Sequence, residues 1–465
     1  MDPDRRVIED GAIAITGDRI EAIGTTAEIQ AAYSAPTVID ASQHVVLPGL
    51  IDGHAHAGHG LIKTMGGGDG EAWYKACETV YTVASPPEFW HAEARLAALE
   101  RLRFGVTTGV SLLGGGDTIM RTDEPAYGDA HLAGVVEVGT RSVMAVGSTR
   151  PPFPRTYARL EGGEAVSRPI TFADQRATCE ALIERWHGRH GGRTNIALIT
   201  PTLRPEHVGR LEAEHLADAR DQAITMQALA RANGLVFTQD GHGRGSVAYA
   251  HELGILGPNA LLSHSTGLTD AEIRLVADTG SHIAHNPSAI ASIMARCPAP
   301  ELIEAGANVC LGSDGTAPDR SGDMFRHMQQ CMHYHRTFFH DPSVLPPGRV
   351  LEMATIDGAR ALGLEREIGS LEVGKKADVI LVDLRRPHLY PANMPLFRVI
   401  YFANGNDVAT VIVDGRILMR DRVVLSVSES QVLDDAQAAT EAMLARTGFH
   451  SMLATPERFW RVTRG

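Results

Sequence analysis

The chain reads as an α/β protein, a TIM-like (β/α)8 barrel carrying a small β-sandwich built from both chain termini. Three observations predict it. Eight short apolar runs bounded by Gly, Pro, Asp or Asn recur between residues 46 and 314. Stretches of helical periodicity separate them. Histidine or aspartate motifs then follow several runs directly, at the barrel face where side chains from different strands converge.

Taken in order, Ala12 to Ile23 contains GDRIEAIG and predicts a hairpin turning at Gly17-Asp18. The eight runs are Val46 to Ile51, Val106 to Leu113, Ser142 to Val146, Ile196 to Thr200, Leu235 to Gln239, Ala260 to His264, His282 to His285 and Val309 to Gly312. Asp221 to Ala232 and Asp270 to Asp278 are two of the helical stretches between them. Beyond the barrel, Gly369 to Asp383 reads as a strand pair, and Ala409 to Leu418 as another turning at Asp414-Gly415. These β-rich ends have no core of their own and are expected to combine, residues 1–48 and 366–428 flanking a barrel of 49–365. An Ala-rich helical tail, Ser430 to about Arg446, closes the chain within 429–465.

Composition excludes several classes. With 465 residues, 44% hydrophobic and 21% charged, the chain is neither disordered nor fibrous. Its 43 Lys+Arg against 56 Asp+Glu give a net charge of −13, which argues against nucleic acid as a partner. No run approaches the roughly 18 apolar residues of a membrane span, and MDPDRRVIEDG has acids where a secretory leader would be apolar. A cytoplasmic protein is expected. The five cysteines are scattered without a CxxC pair and frame neither a disulfide scaffold nor a zinc-thiolate motif. The 21 histidines, by contrast, cluster in short motifs and point to metal chemistry.

Pro48-Gly-Leu-Ile-Asp-Gly-His54-Ala-His56 is the strongest motif. Residues two apart on a strand point the same way, so His54 and His56 aim two imidazoles at one point, as a Zn²⁺-like ion requires. A structural pair at a turn is the plain alternative. In Leu311-Gly-Ser-Asp314-Gly, Asp314 ends the eighth run, where it would bind the metal and take a proton from water, or simply cap a helix. His264 ends the sixth run as a ligand or polarising imidazole; His285, in HNPS after the seventh, fits a supporting hydrogen-bond role better than direct contact. His59 and Lys63 lie on the loop after HxH, and Arg150 and Arg155 follow the third run; each has a solvent-facing reading of equal weight.

The order PGLIDGHAH, His264, HNPS, GSDG and GSLEVGKKADVILVD resembles the metal-dependent amidohydrolase superfamily nearly end to end. Within it the resemblance is to the triazine hydrolase and cytosine- or guanine-deaminase-like branch. It implies water activated on a divalent metal at the C-terminal face of the barrel. Binuclear members bridge two metals with a carboxylated lysine from the fourth strand. Thr194 to Pro205 contains no lysine, so one ion per subunit is expected, Zn²⁺ first, with Co²⁺, Fe²⁺ or Mn²⁺ acceptable to such donors.

The fifth strand departs from that branch, which carries H-x-x-E there: a metal-binding histidine and a glutamate that protonates a ring nitrogen. Aligning by the strand end puts Gln239 at the ligand position and His242 at the glutamate position. The loss of the acid favours a carbonyl substrate, a urea, carbamate or thiocarbamate, over an aromatic ring. The phenylurea hydrolases and molinate hydrolase are similar in this respect. Either Gln239 completes a softer site or His242 or His264 takes its place; the expected site is His54, His56, Gln239 and Asp314 on one metal, Asp314 as base, and His264 with His242 stabilising the oxyanion. Deamination of a purine, pyrimidine or triazine is the alternative, and a non-catalytic binding barrel a third. A small-molecule substrate and a homo-oligomer, dimer or tetramer, complete the expectation.

Overall fold

The computed structural model describes residues 1–116, 118–161, 164–289, 293–316 and 319–462. Its eight barrel strands are Leu50–Asp52, Val106–Leu112, Arg141–Gly147, Thr194–Ile199, Phe237–Gln239, Ala260–Ser263, His282–His285 and Asn308–Leu311. Each pairs in parallel with the next. Between the eighth and the first, Gly53 N–H donates to the Leu311 carbonyl (2.9 Å) and Asp314 N–H to the His54 carbonyl (2.8 Å). The barrel thus closes at the level of the two strongest motifs.

The expected first run, Val46 to Ile51, is two strands in two sheets. His44–Pro48 pairs antiparallel with Val379–Asp383, and only Leu50–Asp52 enters the barrel. The switch falls at Gly49, where a Cβ would stand 2.1 Å from Thr107 Oγ1, so the chain crosses the second strand at a point that admits no side chain. Alternation of apolar residues runs straight through such a junction and cannot mark it.

The smaller sheet has five strands in the order Val423–Val424, Arg416–Arg420, Val408–Val413, Val379–Asp383 and His44–Pro48. The N-terminal hairpin, Gly11–Thr16 with Arg19–Thr25, lays Ile13 and Ile15 over Val379, Leu381 and Ile412. Both termini therefore contribute to one apolar layer outside the barrel. Of the segment Gly369 to Asp383, only Val379–Asp383 is a strand; the part before it turns. Arg141, buried at the start of the third barrel strand, binds Asp378 (3.3 Å) and Asp414 (2.6 Å) and so ties barrel to sheet.

The C-terminal helix, Glu429–Thr447, packs on helix Pro87–Arg103, with Arg95 on Asp435 at 2.5 Å. A hairpin of Arg155–Glu161 and Glu164–Ile170 follows the third strand, a feature absent from the sequence expectation. Among the described residues, no helix is long and apolar enough to cross a membrane.

Candidate metal centre and active site

At the C-terminal mouth of the barrel, three imidazoles and two carboxylates converge. His54 Nε2 lies 3.4 Å from both Asp240 Oδ1 and Asp314 Oδ1. His56 Nε2 is 3.2 Å from Asp314 Oδ1 and 3.7 Å from Asp240 Oδ2, and His264 Nε2 is 3.2 Å from Asp240 Oδ1 and 3.6 Å from Asp314 Oδ1. Donor atoms about 2.0–2.1 Å from one ion in tetrahedral array stand about 3.3 Å apart. The fit is supported by His54 Nε2, a buried nitrogen with no hydrogen-bond partner. A side chain this deep normally has one. The donor set of imidazole nitrogen and carboxylate oxygen suits Zn²⁺ and its first-row neighbours.

Local structure explains how each donor is aimed. His56 Nδ1 bonds the Gly114 carbonyl at 3.1 Å, which makes Nδ1 the protonated nitrogen and leaves the Nε2 lone pair facing the centre. Asp52, two residues before His54, accepts from Arg101 Nη2 (3.0 Å), Ser313 N (2.8 Å) and Ser313 Oγ (2.7 Å). It thereby locks the first strand to the eighth. Gly312 allows this approach, since a Cβ there would meet the His54 backbone at 2.9 Å. His264 and Asp314 both hold positive φ, 61° each. Non-glycine residues adopt that conformation at a cost, and such strain gathers at functional sites.

Asp240 is the residue that sequence reasoning missed. The fifth strand stops at Gln239, the chain turns at Gly241 (φ 77°), and Asp240 swings to the barrel axis, where Ser263 Oγ donates to its Oδ1 at 2.6 Å. Gln239 turns away. Its amide donates to Thr200 Oγ1 (3.3 Å) and the Pro201 carbonyl (3.2 Å), leaving Oε1 to accept from His242 Nε2 at 3.2 Å. His242 Nδ1 is bonded to Ser246 Oγ at 2.9 Å. Both ring nitrogens of His242 are therefore used within the protein, although the ring lines the cavity.

The other candidates divide. His59 lines the cavity, stacks on His56 (4.6 Å between centroids) and is held by Tyr81 Oη at 2.7 Å. His285 pairs with His335 instead of joining the centre. Lys63 binds Glu100 at 2.6 Å, Arg150 donates to the Thr202 carbonyl, and Arg155 donates to the Arg150 carbonyl. The cavity, about 350 Å³, adds Trp73, Arg204, Thr266, Ile293 and Arg320 to these walls. Arg320 Nε sits 3.2 Å from Asp314 Oδ2, on the side away from the imidazoles.

Charge follows from packing. Burial works to lower His54, but the negative charges of Asp240 and Asp314, whose oxygens stand 3.4 Å from Nε2, override it and lift its pKa to about 10. Burial also acts to raise the two acids, and is overridden in turn. His54 and His264 hold Asp240 well below the usual carboxylate range, while His264 and Arg320 do the same for Asp314. For His242 burial wins: burial, then the charge of Arg204, pushes it down to about 3 against the smaller opposing charge of Asp240. It is a neutral ring.

A parallel barrel with imidazole and carboxylate donors gathered over its C-terminal mouth defines a hydrolase of the metal-assisted, water-activating class. The chain belongs to the amidohydrolase family, whose model matches residues 45–418; it is an enzyme that hydrolyses carbon–nitrogen bonds. A model described as an imidazolonepropionase-like composite domain of bacteria matches residues 11–33. The chain is 32% identical over 450 residues to a 5-methylthioadenosine/S-adenosylhomocysteine deaminase of Syntrophobacter fumaroxidans, covering 93% of this chain and 94% of the relative. It is 31% identical over 453 residues to a 5'-deoxyadenosine deaminase of Methanosarcina mazei, covering 96% of each. Among solved structures, a zinc-bound adenosine deaminase from Xanthomonas campestris superimposes with a TM-score of 0.80 at 22% identity over 95% of each chain. A mutant atrazine chlorohydrolase of Arthrobacter aurescens, complexed with zinc and atraton, does so with 0.80 at 21% identity, covering 94% of this chain and 97% of its own.

Proposed function

We propose that the enzyme releases an amine from a trigonal carbon of a nitrogen heterocycle of the adenosine kind, with one divalent ion held by His54, His56, His264, Asp240 and Asp314. The observation that carries the substrate class is the extent of similarity to deaminases of 5-methylthioadenosine, S-adenosylhomocysteine and 5'-deoxyadenosine, over more than nine-tenths of the chain. A bound ion supplies the field that ionises a water at neutral pH. Asp314 takes the proton of that water, and Arg320 on its outer oxygen holds the carboxylate ionised and oriented. The proton on Asp314 then passes to the departing nitrogen.

A second reading is favoured by the fifth strand. Ring deamination draws on a proton donor beside the ring nitrogen, and His242, the residue at that place, is neutral with both nitrogens occupied. A urea, carbamate or thiocarbamate needs no such donor, because its leaving group departs from a tetrahedral intermediate. One assay separates the two. Purified enzyme is offered adenosine, 5'-deoxyadenosine, 5-methylthioadenosine and a triazine on one side, and phenylureas and thiocarbamates on the other, with released ammonia and released aniline or thiol measured. Ammonia from the first set alone carries the deaminase reading; turnover of the second set alone replaces it with the carbonyl reading; turnover of neither refutes both.

A further inference from the structure

Away from the active site, the described residues hold one further group with metal-ligand chemistry: His285, Cys331 and His335. His285 ends the seventh barrel strand, while Cys331 and His335 lie four apart on helix Met324–Phe339 and so share its inner face. All three are fully buried, and their donor atoms lie within 4.8 Å of one another. The Nε2 atoms of the two histidines are 3.2 Å apart. Two imidazoles on one tetrahedral Zn²⁺ would stand about 3.3 Å apart.

Protein hydrogen bonding does not account for the arrangement. Both Nδ1 atoms are buried without a partner. Two neutral rings share at most one N–H···N bond here, and an ion on the two Nε2 atoms would take the place of that bond without changing the surroundings of either Nδ1. Cys331 is a free thiol facing the same point. We propose that His285, Cys331 and His335 form a second metal site, for a thiolate-accepting divalent ion such as Zn²⁺ or Co²⁺, that pins the 324–339 helix to the seventh strand. On binding, the S–H bond of Cys331 breaks, its proton leaves to solvent and a sulfur–metal bond forms, with no change in oxidation state. The scattered cysteine spacing hides the site, because one donor comes from a strand and two from a helix.

The test is to produce the full chain in minimal medium with cobalt as the added divalent ion and to measure metal content and the ultraviolet spectrum. The active-site donors contain no sulfur, so a thiolate-to-cobalt charge-transfer band would report on a site with a cysteine ligand. We expect two cobalt ions per chain and the band in the wild type. Cys331→Ser should lose the band and one ion and keep the other, and His335→Gln should reproduce that loss should the serine variant fold poorly. Cys297→Ser, at a buried thiol outside the group, should keep both. One ion per chain without the band, two ions without it, or a band that survives both substitutions overturns the proposal.

Discussion

Removing and restoring the active-site ion at controlled pH tests the charge balance of the cluster most directly. In the metal-free protein, Asp240 and Asp314 hold the His54 pKa at about 10. At pH 7.5 this imidazole is protonated, and an ion can bind it only by displacing that proton. The displacement spans about 2.5 pKa units, or roughly 3 kcal/mol at 1.36 kcal/mol per unit, which is about a 300-fold weakening relative to the fully deprotonated ring. His264, also raised, acts in the same direction. Affinity should therefore climb at least about tenfold per pH unit between pH 7.5 and 9 and level off near 10. Titration calorimetry of the stripped enzyme with Zn²⁺, in two buffers of different ionisation enthalpy, should show at least one proton released per ion at pH 7.5. For folding of the metal-free protein the sign is opposite: a pKa raised above the unfolded value stabilises it fully below about pH 6.5, and that contribution is lost as pH rises through 10. In metal-free Asp240→Asn, the His54 resonance should titrate at least one unit lower by NMR. Constant affinity from pH 7.5 to 9 with buffer-independent heats would refute the reasoning.

The remaining expectations concern single side chains. Asp240→Asn should lower bound metal and kcat/KM by at least about 100-fold, whereas Gln239→Leu should retain stoichiometric metal; elemental analysis showing the reverse pattern would restore Gln239 as the ligand. Asp314→Ala should reduce kcat by about 10²–10⁴-fold or more with an unchanged circular dichroism spectrum, and near-normal turnover would remove Asp314 as base. Arg141→Met leaves Asp378 and Asp414 buried without their shared cation, so denaturant unfolding should show a loss of about 3–5 kcal/mol. A change below 1 kcal/mol would mean that the barrel and the smaller sheet are held together by apolar packing alone.

Most of the barrel was legible because its strands are buried on both faces and read as unbroken apolar runs. Seven of the eight expected runs become barrel strands to within a residue or two at each end. The exception, at Gly49, is a sheet-to-sheet crossing that leaves no trace in hydropathy. His54 and His56 were legible through period-two geometry, and His264 and Asp314 through their place at strand ends. The fifth strand was misread because the same rule, carried one residue past its end, no longer holds once the chain turns. Yet a sequence signal was present. Gln239-Asp240-Gly241 and Ser313-Asp314-Gly315 are the same device, an Asp-Gly pair just beyond a strand with the glycine at φ 77° and 78°. The glycine takes the left-handed turn that bends the chain back and leaves the aspartate over the axis.

That repeated turn has a chemical consequence. On the proposed reading, Asp240 in place of a neutral donor would set two carboxylates against a divalent ion, for a formal charge of zero at the centre. An ion there would have less residual charge with which to polarise a substrate, and its capture at neutral pH would require displacing the His54 proton that Asp240 helps to hold. Gln239, released from the ligand role, accepts from His242 and fixes that ring as an Nε2–H tautomer directed into the protein. One shift of register thus both adds a negative charge to the centre and removes the proton donor from the cavity wall. On the proposed reading, the proton delivered to the leaving group comes from the carboxylate that received it, Asp314, because the guanidinium groups of Arg204 and Arg320 facing the cavity keep their protons and burial holds His59 neutral. A substrate whose leaving nitrogen is itself basic enough to take the proton from Asp314 is the one this arrangement serves best.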